Sequence, residues 1–165
     1  MRHRGTQEQR GKMNKYLSII TLNVNSLNAP IKRHTIAEWI RKHNPHICCL
    51  QETHLRKKDL HRLKVKGWKK VFQTNGQGKK AWVAIVTSEK IDFKTKAIKR
   101  DKQEHFIIFK GKIYQEDINI INIYAFNIAS PKYIMKILED FKKDIDSNTL
   151  LIGILPPHCQ QWIDQ

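Results

Sequence analysis

The run Leu17-Ser18-Ile19-Ile20-Thr21-Leu22 is apolar and β-branched and stops on Asn23, so it reads as a buried strand. Asn28-Ala29-Pro30 follows as a helix start, proline being tolerated in a first turn. Ile36, Trp39 and Ile40 then form a helical stripe that must end before Pro45. His46-Ile47-Cys48-Cys49-Leu50-Gln51-Glu52 is a second continuous apolar strand, and its C-terminal end delivers a carboxylate. Two buried strands linked by a helix commit the chain to mixed α and β.

The remaining segments fit that frame. Lys57 to Lys66 predicts a charged helix, and Trp68 to Phe72 with Ala81 to Thr87 predicts a hairpin across Asn75-Gly76-Gln77-Gly78-Lys79-Lys80. Phe106 to Phe109 and Ile118 to Tyr124 predict an antiparallel pair across a turn centred on Gly111. Ser130 caps a helix opened by Pro131, with Ile134, Ile137, Leu138, Phe141 and Ile145 at helical spacing. Thr149 to Gly153 is a short last strand. The order βα-βα-ββ-ββ-αβ is solved by an α/β sandwich, sheet on sheet with helices outside. Residues 1–15 read as a basic, flexible tail, 16–153 as the folded part, and 154–165 as a segment of different character.

Charge constrains partners more than fold. With 31 Lys+Arg against 15 Asp+Glu, the net charge is +16 at pH 7, which attracts polyanions: nucleic acid first, an acidic membrane surface second. Arg56-Lys57-Lys58, Lys64 to Lys70 and Lys79-Lys80 are the clusters that would meet phosphates without sequence preference. No apolar run approaches the roughly 18 residues of a membrane span. Cys48 and Cys49 read as core thiols and Cys159 stands alone, so neither a disulfide framework nor a zinc site is expected, and the chain is expected to be intracellular.

Polar groups gather at strand ends: Asn23 and Asn25, then Glu52, then Tyr124 and Asn127. Loops beyond strand C-termini are where α/β folds build sites, and a carboxylate flanked by amides suits Mg²⁺. On spacing alone, the same residues also fit turn amides, a surface charge and a core-edge tyrosine. Thr21-Leu22-Asn23-Val24-Asn25-Ser26-Leu27-Asn28, Gln51-Glu52-Thr53-His54 and Asn122-Ile123-Tyr124-Ala125 closely resemble the endonuclease domain of mammalian LINE-type retrotransposon reverse-transcriptase proteins, part of the endonuclease/exonuclease/phosphatase superfamily. Lys32-Arg33-His34, Leu63 to Trp68 and Ile98 to Lys102 extend the match. The resemblance implies a four-layer sandwich and Mg²⁺-dependent nicking of DNA. It implies Glu52 as metal ligand, Asn23 as the amide arranging metal and phosphate, and Tyr124 as the phosphate-contacting tyrosine. Asn25, His54 and Asn127 fall to the DNA.

The departures are as specific as the matches. The family continues after Gly153 with Asp-Phe-Asn; here stand Ile154-Leu155-Pro156, and the late Ser-Asp-His segment has no counterpart. Loss of such groups removes about 10²–10⁴-fold each, so the chain is expected to be a truncated, inactive copy. The alternatives are a non-catalytic basic nucleic-acid-binding fragment or a functionless translated relic. Deleting the first base of the aspartate codon from one allowed coding of the family's continuation yields Gly-Ile-Leu-Thr-Pro-His-Cys-Gln-Gln-Trp-Ile-Asp-Gln. That matches Gly153 to Gln165 except at Pro156, as a frameshift would. Trp82 replaces a glycine and Phe126 a proline of the family pattern; Trp82 either overpacks the core or lies exposed on a strand face. With the C-terminal half missing, the second sheet should be largely absent, leaving an apolar face open to aggregation.

Overall fold

β1 (Ile19–Asn23) and β2 (Ile47–Leu55) run parallel, Ile19 opposite Ile47 and Asn23 opposite Gln51, because α1 (Pro30–His43) returns the chain between them. Proline opens α1, and Asn44 closes it in the left-handed region (φ 51, ψ 46), its N–H reaching the Ile40 carbonyl at 2.8 Å. The structure is a computed structural model that describes residues 16–63, 65–74, 81–125 and 131–154. After a short 3-10 turn (Lys57–Arg62) come β3 (Trp68–Gln73), β4 (Ala81–Ser88), β5 (Phe93–Arg100), β6 (Phe106–Ile113), β7 (Glu116–Tyr124), α2 (Pro131–Lys142) and β8 (Thr149–Ile154).

The strands form two four-stranded sheets, ordered β1-β2-β4-β3 and β5-β6-β7-β8. Alternation along the strands explains their unbroken apolar runs, since both faces are buried. Ile47, Cys49, Val83 and Ile85 of the first sheet meet Ile107, Phe109 and Ile120 of the second. The opposite face of the first sheet (Cys48, Leu50, Ala84, Val86) packs on Ile40 of α1. The opposite face of the second (Phe106, Ile108, Ile121, Ile123) packs on Ile137 and Phe141 of α2. Helix, sheet, sheet, helix is the four-layer sandwich the resemblance implies.

Four expectations are corrected. The second sheet is not missing: it has four strands, and its apolar face is covered on both sides. β5 escapes sequence reading because it is an edge strand whose Lys94, Thr95, Lys96 and Ala97 are all exposed, so it shows no alternation. Gly111 is not a turn residue. It lies inside β6 opposite Ile118, where a Cβ would meet the Lys94 carbonyl at 2.5 Å and the Phe109 ring at 2.7 Å. The turn falls at Tyr114-Gln115, both at positive φ (52 and 70), as a two-residue hairpin loop wants. The Lys57–Lys66 helix shrinks to the short 3-10 turn, and Ile145 lies past the end of α2. Ser130 and the segments 1–15, 75–80 and 155–165 are outside the described residues.

Candidate active site at the strand ends

β2 changes register where the chemistry begins. Gln51 pairs with Val83 and the next pair is Leu55 with Ala81, so Glu52, Thr53 and His54 stand opposite one residue, Trp82. The excess is absorbed by left-handed backbone at Glu52 (φ 54) and His54 (φ 53). Neither is glycine, and each such residue costs on the order of 1–2 kcal/mol. The surroundings over-determine the bulge. Thr53 is fully buried and its hydroxyl donates to the Ala81 carbonyl at 2.9 Å. On the other side the chain leaving β1 follows β2: the N–H groups of Val24, Ser26 and Leu27 donate to the carbonyls of Gln51, Glu52 and Thr53 at 3.0, 2.7 and 2.9 Å. Bulges of this kind re-aim side chains, here Glu52 and His54.

Asn23, Glu52 and Tyr124 come together. Asn23 Nδ2 donates to Glu52 Oε1 at 2.9 Å, and Asn23 Oδ1 accepts the Asn25 N–H at 3.0 Å. The Tyr124 hydroxyl, from the end of β7, donates to the same carboxylate. This contact joins the two sheets. The hydrogen bonds from Tyr124 and Asn23, with the charges of His54 and Lys32, hold the Glu52 carboxyl below the usual carboxylate range. Tyr124 is only 4% exposed; burial first, then the Glu52 carboxylate, push its phenol up to about 12. Glu52 is therefore ionised and Tyr124 protonated throughout the neutral range, which fixes the direction of their hydrogen bond.

Beneath this pair lies a polar latch that sequence reasoning missed. Gln51 Nε2 donates to Asn122 Oδ1 at 2.9 Å and to Thr21 Oγ1 at 3.0 Å. Asn122, wholly buried in β7, donates to the carbonyls of Ala84 (2.9 Å) and Leu50 (3.2 Å). Gln51 precedes Glu52, and Asn122 lies two residues before Tyr124, so the latch sets how the two site residues approach. The available signal was an amide in each of two otherwise apolar strands, a buried polar group that needs a partner.

Trp82 is neither exposed on a strand face nor an intruder. Half-buried, it stacks on Tyr124 (5.5 Å between ring centroids, 9° between planes) and meets His54 edge-on at 4.7 Å. The fourth strand end belongs to β8, which runs parallel to β7 with Ile154 opposite Tyr124. Gly153 has φ 130 there, and a Cβ would run into the Ile123 carbonyl. The position beside Tyr124 thus carries an isoleucine and no carboxyl. Asn127 lies outside the described residues.

Beyond Lys32, a cavity of about 400 Å³ is lined by Arg33, His34, His61 and Arg62 with Pro30 and Ala37. Arg33 is held there by donating to the carbonyls of Leu27 (2.8 Å) and Asn28 (2.6 Å). A cavity of about 480 Å³ sits at the other end of the sandwich, at Leu17, Tyr114 and Thr149, away from these groups. Among the described residues, no three or more His, Cys, Asp or Glu side chains converge on one point, and no helix is long and apolar enough to cross a membrane.

Residues 20–144 match the Endonuclease/Exonuclease/phosphatase family. The chain belongs to this family. The same fold is found in D. rerio TDP2 in complex with a single-strand DNA product (TM-score 0.63, 14% identity, 88% of this chain and 64% of that one). It is found in the endonuclease domain of TRAS1, a telomere-specific non-LTR retrotransposon (TM-score 0.58, 14% identity, 83% and 59%). It is found as well in an AP endonuclease from Archaeoglobus fulgidus (TM-score 0.52, 24% identity, 84% and 56%). The chain spans less than two thirds of the length of each of these structures.

Proposed function

We propose that the strand ends carrying Glu52 form a nuclease-type site that holds Mg²⁺ and the phosphodiester backbone of DNA, and that this chain binds DNA without turning it over. The observation that carries the reading is the Glu52 carboxylate, ionised and fixed by one donor from each sheet, Asn23 and Tyr124. The donor set fits Mg²⁺, which uses one or two carboxylates and fills its shell with water and substrate phosphate. Glu52 is the ligand; Asn23 Oδ1 keeps one lone pair for the ion after accepting the Asn25 N–H. When bound, the ion supplies Lewis-acid polarisation of a phosphoryl oxygen and stabilises the leaving oxygen.

The remaining roles belong to the chain. Tyr124, protonated at neutral pH, offers its hydroxyl to Glu52 and to a phosphate oxygen. Asn25, His54 and Asn127 contact DNA near the scissile bond, while Lys32 and the Arg33–His34–His61–Arg62 cavity hold the backbone further along. That D. rerio TDP2 has been captured with a DNA product and that the TRAS1 domain is an endonuclease support DNA as the partner. Turnover needs a group to take the proton of the attacking water, worth about 10²–10⁴-fold. The position β8 delivers beside Tyr124 is Ile154, which cannot take it. In this reading the lineage is a LINE-type retrotransposon endonuclease whose motif is broken by a frameshift at Ile154, which the coding nucleotides test directly.

Plasmid nicking with Mg²⁺ and DNA binding across a salt series, on the chain and on Glu52→Ala, test the function. We expect salt-sensitive binding by both and no nicking by the chain above the Glu52→Ala background. Turnover abolished by Glu52→Ala would overturn the inactivity, and absence of DNA binding at low salt would overturn the DNA site.

A further inference from the structure

We infer that Trp82 is a positioning residue: set opposite the β2 bulge and stacked on Tyr124, it holds the β7 phenol against the Glu52 carboxylate. Its usefulness rests on the proposed site, but its geometry does not. Alternation along β4 turns Val83 and Ile85 between the sheets and Ala84 and Val86 towards α1. Trp82 shares the parity of Ala84 and Val86, yet it packs on the cluster between the sheets. The phase breaks at the bulge, where Trp82 is the single β4 residue facing Glu52, Thr53 and His54.

From there the indole reaches both sheets. Its face lies nearly parallel to the Tyr124 ring, 9° apart, and His54, on the same bulge as Glu52, meets it at 88°. His105 approaches at 6.1 Å, and its carbonyl accepts the Tyr124 N–H at 2.8 Å. Glu52 and Tyr124 come from different sheets, so their hydrogen bond depends on the spacing between sheets at this end. One rigid ring fills that spacing while touching the bulge and the tyrosine together. The same ring covers one face of Tyr124, which is only 4% exposed.

The test is the placement of the Tyr124 ring in the full chain, read by NMR with ¹³C-labelled tyrosine and assigned by Tyr124→Phe. Cross-peaks between the Tyr124 ring and the Glu52 side chain should be present in the unaltered chain. In Trp82→Phe, which keeps a stacking ring, they should persist. In Trp82→Gly they should be lost. Tyr133, bound to Asp101 at 3.1 Å and separated from Trp82 by the His105 ring, should not move, which separates positioning from a general loosening. An unchanged Tyr124 in folded Trp82→Gly would overturn the inference. So would an absence of Trp82–Tyr124 ring cross-peaks in the unaltered chain, a measurement that needs no variant to fold. Neither metal nor DNA enters this readout, so a failed nuclease-type site and a failed role for Trp82 give different results.

Discussion

Replacing Asn122 with alanine removes the latch behind the site, and its cost can be worked from the contacts. Asn122 donates to Ala84 O at 2.9 Å and Leu50 O at 3.2 Å, and accepts from Gln51 Nε2 at 2.9 Å, with no solvent access. A hydrogen bond of this kind contributes about 1 kcal/mol net, and a buried partner left unsatisfied costs about 1–3 kcal/mol. Gln51 keeps its contact with Thr21, so its amide is only partly orphaned. The sum is about 2–4 kcal/mol, which in a chain of this size lowers Tm by on the order of 10 °C. Circular dichroism melts of the chain, Asn122→Ala and the exposed control Asn148→Ala measure it; the control should change stability by no more than about 0.5 kcal/mol. A Tm for Asn122→Ala within about 1 °C of the parent would refute the reasoning, because the sheets would then be registered by apolar packing alone.

Gly153→Ala should destabilise the chain and expose β8 to limited proteolysis, since the added Cβ meets the Ile123 carbonyl at a φ of 130. Burial pushes the Cys48 thiol up to about 12 and Cys49 higher still. In a Cys159→Ser background, neither should react with a disulfide reagent at pH 8 until denaturant is added. Because Tyr124 and Asn23 lower the Glu52 pKa from its ordinary 4.5, the stability these bonds contribute is present above that value and lost as pH falls through the lowered one. The chain should therefore lose its stability advantage over Glu52→Gln only below pH 4.5, as read by urea melts across an acid series.

How far the sequence could be read follows from what each segment does. β1, β2, β4, β6, β7 and α1 were legible because their apolar residues serve two faces of a sheet or one stripe of a helix. β5 was not, since an exposed edge strand carrying Lys94, Lys96 and Lys99 leaves no periodic apolar mark. Gly111 misled because glycine serves a close approach as well as a turn; the space it leaves is for the Phe109 ring. Asn23, Glu52 and Tyr124 were legible as a motif and do converge. The bulge that aims Glu52 was not legible, because two non-glycine residues adopt left-handed backbone with no sequence signature. Trp82 was visible only as an oddity until its neighbours across both sheets were known.

Titration of the amide and side-chain NMR signals with Mn²⁺ tests most directly whether Glu52 is a cation site. Paramagnetic broadening is expected to centre on Asn23, Glu52 and Tyr124, to be competed by Mg²⁺ and to be absent in Glu52→Gln. Broadening that is centred elsewhere, or that persists unchanged in Glu52→Gln, would contradict a cation site at Glu52.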